Sequence, residues 1–575
     1  MEFTGTGASE GAVSGITLVF RHEQESDYSG LQDPSVGGKN GKQQELTFES
    51  AMEKFFEGRS RVHQELLAMS KEAEEKYGAD KAGIFEGYAE ILMDEEIEEL
   101  VASLIKKGYT PQVAARKAME QQATELEALE GDYMRERASD FADIGRRLHA
   151  AVSGEEQSPI PVLTEPCILV ADELSPFETV RLDHSLILGL AMDKGGYTGH
   201  VAILARSLDI PCVVALGHAS TKIKSGSMCV LDGTSGRLIT DPSNETLSAF
   251  SQKEEERRQH LAVLAKTANE PAITLDGVPL QVCANIGSPE EARRAAIQGA
   301  DGVGLFRTEF LYIDSIRLPS EEEQFEAYRQ VLDALGNKPL TIRTVDIGGD
   351  KDHPALGLEK EDNPFLGYRA IRLGLDQPRI FKPQLRAILR ASAFGKVELM
   401  FPLIISLDEV RQARLLVEEC LAELSAEGLE ANKPSFGIMV ETPAAALLAK
   451  EFAAEVDFFS IGTNDLTQYT LAVDRGNTRI ASLYDPLNPA VLRLLALTCD
   501  AALNAGIPVC ICGESAADPK ALPLLVGLGI TKFSVLASRI SSVKANIRAL
   551  DAGKARELTQ RALKLATAAE IHSLL

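Results

Sequence analysis

Phe458-Phe459-Ser460-Ile461-Gly462-Thr463-Asn464-Asp465-Leu466 is an apolar run of strand length that passes at Gly462 into Thr463, Asn464 and Asp465. Seven more such runs lie beyond residue 272, at 280–286, 302–306, 341–345, 398–403, 436–440, 509–512 and 532–535, with helical segments between them. Strands alternating with helices in this number predict a (β/α)8 TIM barrel over 272–575, in which chemistry belongs at the carboxyl ends of the strands.

Those ends carry a consistent set of residues. Strand two runs into Phe306-Arg307-Thr308-Glu309, and strand three carries Arg343 and runs into Asp346-Ile347-Gly348-Gly349-Asp350-Lys351. Strand five ends Val440-Glu441-Thr442-Pro443, strand six Asn464-Asp465, and strand seven Cys510-Ile511-Cys512-Gly513-Glu514. Glu441 and Asp465, on neighbouring strand ends, are hard oxygen ligands that suit Mg2+, which takes one or two protein carboxylates and fills its octahedron with water and substrate oxygens. The competing reading is an ion pair with a nearby arginine. Arg307, Arg343, Arg369 and Arg475 are able to grip phosphate and carboxylate bidentately. Any one of them alone reads as a salt-bridge partner; four converging beside a metal make a pocket for a small, highly charged anion.

A second chemical centre lies outside the barrel. In Gly195-Gly196-Tyr197-Thr198-Gly199-His200-Val201-Ala202-Ile203-Leu204-Ala205-Arg206-Ser207 the glycines permit positive φ and close backbone approach, and the apolar spacing after His200 predicts a helix beginning there. A helix N-terminus attracts anions and disfavours imidazolium, which leaves neutral His200 a lone pair with which to attack phosphorus. A glycine-rich turn with a capping histidine is the plainer alternative.

The rest of the chain is ordinary globular sequence with an acidic bias. Its formal charge of −26 and lack of lysine or arginine clusters argue against a nucleic acid or an anionic membrane as partner and for a basic protein. Residues 41–155 hold 15 lysines and arginines against 25 acids, and apolar residues there (Phe55, Val62, Leu66, Leu67, Tyr88, Ile91, Leu92, Ile97, Leu100) recur at helical spacing. This predicts an antiparallel helical bundle. Residues 5–12 read as a turn and 12–20 as a lone strand that must join a sheet elsewhere, with short strands resuming after 159 and an exposed connecting helix over 243–270. The eight cysteines have no C-x-x-C spacing, and no apolar run is long enough to span a bilayer, so a reduced, cytoplasmic protein is expected.

G-G-x-T-x-H-x-A-x-x-A-R-S followed by Leu208-Asp209-Ile210-Pro211-Cys212-Val213-Val214 resembles the phosphohistidine domain of phosphoenolpyruvate-utilising enzymes, departing from it at Gly199, where serine is usual. G-V-G-L-F-R-T-E-F, D-I-G-G-D-K, N-P-F-L-G-Y-R-A-I-R, V-E-T-P-A-A and D-F-F-S-I-G-T-N-D-L-T-Q-Y resemble the enzyme I family of the sugar phosphotransferase system. Ile84-Phe85-Glu86-Gly87-Tyr88 and Met93-Asp94-Glu95-Glu96 resemble the part of that family that receives the basic phosphocarrier HPr.

The resemblance implies a multidomain α/β protein: a swivelling phosphohistidine domain (1–30 and 156–242) with an inserted helical, HPr-binding domain (44–155), a linker helix (243–271), and a barrel that dimerises. It further implies transfer of phosphoryl from phosphoenolpyruvate through His200 to HPr. Arg307, Arg343, Arg369, Asn464 and Arg475 would hold the substrate, Glu441 and Asp465 would bind Mg2+, Cys512 would protonate the enolate carbon, and Thr179 would lie near the histidine. A pyruvate phosphate dikinase or phosphoenolpyruvate synthase is the nearest alternative, but 41–155 is too short and helical for a nucleotide domain and lacks a G-x-x-x-x-G-K-[ST] loop. A regulatory protein that has kept the fold and lost turnover is the other; Gly199 and Glu10, where the family has proline, are the departures that would favour it.

Overall fold

The computed structural model describes residues 1–9, 11–21, 47–77, 79–127, 132–154, 163, 165–174, 178–179, 182–196, 200–208, 210–313, 317–348, 356–358, 361–474, 477, 480 and 483–575. They fall into two units, Met1–His260 and Leu261–Leu575.

The strands of the first unit are β1 (Glu2–Thr4), β2 (Thr6–Ser9), β3 (Ala12–Phe20), β4 (Cys167–Ala171), β5 (Ile187–Met192), β6 (Cys212–Val214), β7 (Met228–Asp232) and β8 (Arg237–Thr240). They form one sheet in the order β1-β8-β7-β3-β4-β5-β6-β2, with β3 antiparallel to β7 and parallel to β4. The run at 12–20 thus supplies a central strand of a sheet whose other strands follow much later in the chain. The expected turn over 5–12 is corrected: β2 lies within it, and β1 precedes it. Gly5 and Gly7 explain why so weak a strand former is a strand, since a Cβ would stand 2.3 Å from Val214 O and 2.2 Å from Gly233 O respectively. Only glycine lets the backbones approach that closely.

Between β3 and β4 the described residues form five helices, α1 (Phe48–Tyr77), α2 (Ala79–Leu92), α3 (Glu95–Lys106), α4 (Pro111–Glu127) and α5 (Asp132–Ser153). Phe55, Val62, Leu66, Tyr88, Leu92, Ile97, Val101, Met119, Ile144 and Leu148 form their core. Leu67, read as part of the apolar stripe, is instead 41% exposed, because one residue is a 100° step away from buried Leu66. The acidic string has a local role: the Asp94 carboxylate accepts the Glu96 N–H at 2.9 Å, and Glu95, Glu96 and Glu98 occupy the first turn, where the helix dipole favours negative charge.

Helix α6 (His200–Ser207) connects β5 to β6 and begins at the histidine. Gly195 ahead of it has φ +96° with no atom within 4 Å of a notional Cβ, so backbone conformation rather than crowding requires glycine there. Arg206 Nη1 donates to Ala8 O at 3.0 Å and ties α6 to β2. Tyr197, Thr198, Gly199 and Glu10 lie outside the described residues, as does the side chain of His200. The helix Asn244–Lys266 follows β8.

In the second unit β9 (Ala272–Ile273) lies antiparallel against β10 (Pro279–Ile286). β10 is followed by β11 (Val303–Arg307), β12 (Leu340–Arg343), β13 (Val397–Phe401), β14 (Ser435–Val440), β15 (Phe458–Gly462), β16 (Val509–Cys512) and β17 (Lys532–Val535). These eight are parallel in sequence order, and β10 pairs with both β11 and β17, which closes the barrel. A period of two sorts the side chains. Ile342, Leu399, Ile438, Phe459, Ile511 and Phe533 face outward into the core shared with the helices, each worth about 1.5–3 kcal/mol on burial. Inward, Lys532 Nζ meets Glu398 Oε2 at 3.0 Å and Thr341 Oγ1 donates to the same oxygen at 2.5 Å, while Leu305, Met400, Met439, Phe458 and Cys512 cluster together.

Two strands end earlier than their apolar sequence suggests, at Arg343 and Phe401 rather than at 345 and 403. Leu403 takes φ +55°, which turns its N–H toward Glu441. All eight cysteines are free and buried, and among the described residues no helix is long and apolar enough to cross a membrane.

Candidate active site

At the carboxyl end of the barrel the sequence places more positive charge than a buried site tolerates without counter-ions. Arg343, the last residue of β12, and Arg369 are 6% and 3% exposed. Asp346 stands between them: its Oδ1 accepts from Arg369 Nη2 at 2.7 Å and Nε at 3.2 Å, and its Oδ2 lies 3.3 Å from Arg343 Nη1. Glu309, just beyond β11, accepts Arg343 Nη2 at 2.5 Å. Burial works against both guanidinium charges, but Glu309 and Asp346 for Arg343, and Asp346 and Asp465 for Arg369, outweigh it and hold both above the ordinary arginine value.

The backbone of this corner is arranged around the same groups. Thr308 Oγ1 donates to Arg343 O at 2.8 Å and accepts from Gln384 Nε2 at 3.0 Å, locking the ends of β11 and β12 together. Gly348, at φ +101°, would place a Cβ 2.6 Å from that of Arg369. On its far side Arg369 Nη1 donates to Tyr469 OH at 3.4 Å, and that hydroxyl donates to Phe365 O at 2.5 Å.

The carboxylates predicted as metal ligands gather at the same mouth. Asp465 Oδ2 lies 3.8 Å from Arg369 Nη2. Glu441, 3% exposed, follows β14 and accepts the Leu403 N–H at 2.6 Å. Burial, and then the negative charges of Asp465 and Asp346, push its carboxyl up to about 8. Gly462 leaves room for it, since a Cβ there would sit 2.8 Å from Glu441 Oε2. Asn464 Oδ1 accepts the Glu514 N–H at 3.3 Å, which sets it beside the loop after β16.

Cys512 ends β16 and points into the barrel. Its sulfur lies 3.4 Å from Ser460 Oγ and donates to Ile461 O at 3.5 Å. Burial pushes the thiol up to about 11, against the opposing effects of the Ser460 hydrogen bond and the Arg343 charge, so it carries its proton at neutral pH. Cys510 sits one layer deeper, where burial pushes its thiol well above the ordinary value.

The structure therefore gathers Arg307, Arg343, Arg369, Glu441, Asn464, Asp465 and Cys512 at the carboxyl ends of the barrel strands. Arg475 lies outside the described residues, and His200 belongs to the first unit. Sequence reasoning assigned no role to Glu309, Asp346 or Tyr469. The signal for the two acids was available, because three clustered arginines demand buried counter-charge and both acids occur in the quoted motifs. Nothing marked Tyr469.

Family models match the chain in three places: PEP-utilising enzyme, N-terminal, over residues 4–137; PEP-utilising enzyme, mobile domain, over 163–236; and PEP-utilising enzyme, PEP-binding domain, over 262–552. Curated relatives named phosphoenolpyruvate-protein phosphotransferase include that of Geobacillus stearothermophilus, 44% identical over 89% of each chain. That of Bacillus sp. (strain S) is 43% identical over 91% of each, and that of Haemophilus influenzae is 42% identical over 100% of this chain and 98% of its own.

The Asp346 bracket makes a direct prediction. Asp346→Ala leaves two buried guanidiniums short of counter-charge and should lower unfolding free energy by about 3–5 kcal/mol, the usual cost of breaking a buried pair from one side. With no tryptophan in the chain, urea unfolding followed by circular dichroism is the measurement; an unchanged midpoint would refute the bracket's importance.

Proposed function

The chain belongs to the family of phosphoenolpyruvate-utilising enzymes, and from that premise we propose that it is a phosphoenolpyruvate-protein phosphotransferase, moving phosphoryl from phosphoenolpyruvate to His200 and then to a protein carrier. The observation that carries this reading is the barrel mouth, where buried guanidiniums, two crowded carboxylates and a protonated thiol converge.

The family is generally metal-dependent. The donor set here fits Mg2+: Glu441 and Asp465 offer hard oxygens, a divalent cation supplies the charge their crowding lacks, and two protein ligands leave positions for water and substrate. Bound there, Mg2+ supplies positive charge to the phosphoryl and enolate oxygens. Arg307, Arg343, Arg369 and Arg475 neutralise the substrate's phosphate and carboxylate, and Asn464 donates to it. The lone pair of His200 attacks phosphorus in line, the bond from phosphorus to the enol oxygen breaks, and its electrons stay with enolpyruvate. Cys512 gives its S–H proton to the methylene carbon, pyruvate leaves, and the thiolate regains a proton from water.

The phosphoryl group then passes from His200 to a histidine of HPr, the first step of the sugar phosphotransferase system. This requires the sheet that carries His200 to swivel between barrel and carrier. HPr, a basic protein, docks on α1–α5, where the acidic balance of 41–155 supports it. We place the reaction in the cytoplasm, in keeping with eight free thiols.

Incubation with labelled phosphoenolpyruvate, Mg2+ and HPr should label this chain first and HPr second, and His200→Ala should abolish both. Acid-labile phosphate on the substituted chain would sink the assignment. The barrel is also expected to be homodimeric, supported by Leu447, Leu497 and Leu503, which are 66%, 48% and 79% exposed on two helices in contact with each other. Sedimentation at micromolar concentration with substrate and Mg2+ should give a dimer, and a monomer would count against it. Cys512→Ala should still phosphorylate His200, yet turn over roughly 10²–10⁴-fold more slowly and lose facial preference in protonation. Stereospecific pyruvate at the unsubstituted rate would point to another acid.

A further inference from the structure

Inward-facing polar groups of the barrel are mostly paired. Lys532, Glu398 and Thr341 satisfy one another, Ser534 Oγ donates to Ala284 O at 3.0 Å, and Ser460 meets Cys512. The carboxyl ends of three successive strands break this rule. Asn285 Oδ1 on β10, Arg307 Nε on β11 and Arg343 Nε on β12 are buried with no hydrogen-bond partner among the described residues. Such orphans are rare in folded proteins, and each calls for a missing partner.

Asn285 is the one of these residues with no role in the site so far. It is 9% exposed. Its direction follows from the pleat: Ala284 and Ile286 face the outer core, and Cys283, two residues earlier, shares the interior with Ser534, its register partner. Asn285 therefore points into the barrel one layer nearer the mouth. Opposite it the register between β10 and β11 shifts, pairing Asn285 with Leu305 and Ile286 with Phe306, so that Arg307 enters the mouth one step above the amide. Bulges of this kind re-aim side chains beside active sites.

We propose that Asn285 is a substrate-contacting residue whose side-chain amide binds an anionic oxygen of phosphoenolpyruvate, a role that rests on reading the barrel mouth as that substrate's pocket. The chemistry is complementary. Phosphoenolpyruvate at neutral pH offers only acceptor oxygens, carboxylate or phosphoryl, and the Asn285 NH2 is an uncharged donor. The unpaired donors Arg307 Nε and Arg343 Nε lie on the two strands that follow, so substrate oxygens bound by the Asn285 NH2 are also within the reach of those guanidiniums, while Asn285 Oδ1, an acceptor, is left to a protein donor such as Arg307 Nε.

The test is Asn285→Leu, with Asn285→Ala as second variant, in the full chain. Loss of a hydrogen bond to a charged group should raise KM for phosphoenolpyruvate roughly 10- to 100-fold, with a smaller effect on kcat. The melting temperature without substrate should stay level or rise in Asn285→Leu, because an unsatisfied buried acceptor is removed, while the rise on adding phosphoenolpyruvate and Mg2+ shrinks. Pyruvate as competitor identifies the oxygen: if its inhibition weakens in parallel the contact is to carboxylate, and if it does not the contact is to phosphoryl. Unsubstituted KM in both variants, with the parent chain labelled normally, overturns the proposal alone. A large fall in substrate-free melting temperature in both makes Asn285 structural and likewise overturns it. Failure of the parent chain to take label sinks the pocket reading and this proposal with it.

Discussion

Asp346, set between Arg343 and Arg369, is the interaction on which the barrel mouth depends. A pocket for a multiply charged anion has to keep guanidiniums dry, so that their attraction for substrate is not screened, and yet stable while substrate is away. One carboxylate shared between two arginines, with Glu309 behind, meets both needs. The backbone accepts strain in the same cause. Ala370, next to Arg369, and Leu403, which donates to Glu441, both adopt left-handed φ without being glycine, at a cost of order 1–3 kcal/mol each.

The acids and bases of the site divide by environment rather than residue type. Glu441 and Asp346 are both buried carboxyls within reach of the same arginine, yet one is crowded by neighbouring negative charge and the other is wrapped by two guanidiniums. Cys512 and Cys510 divide similarly: the same strand face carries both, but only Cys512 is high enough in the barrel to share a layer with Arg343 and Glu441.

Much of this was legible in the sequence because the barrel repeats one rule eight times. An apolar run with inward positions at every second residue, ended by a polar string, marks both a strand and its chemical end, so Arg307, Arg343, Glu441, Asp465 and Cys512 could be named before their neighbours were known. What was hidden follows from the same physics. Val345 and Leu403 look like strand residues because they are apolar, but they are buried beyond the strand ends, Val345 against Tyr312, Ile347 and Leu373, and Leu403 at a turn with φ +55°. β2 is hidden because close backbone approach selects Gly7, which propensity counts against a strand, and β1 because three residues are too few to show an alternation. Asn285 was passed over inside a strand run, since orphaned hydrogen-bonding capacity has no trace in sequence.

The placement of β3 bears on how the chain is made. As the chain leaves the ribosome, β3 precedes both strands that flank it, β4 and β7, which are synthesised only after helices α1–α5. The bundle, with its own core, is able to close while β3 still has two bare edges. One edge of β3 stays bare until β4 has been translated at residue 171 and the other until β7 has been at residue 232, so a central strand of the sheet waits tethered beside a helical domain with its own core.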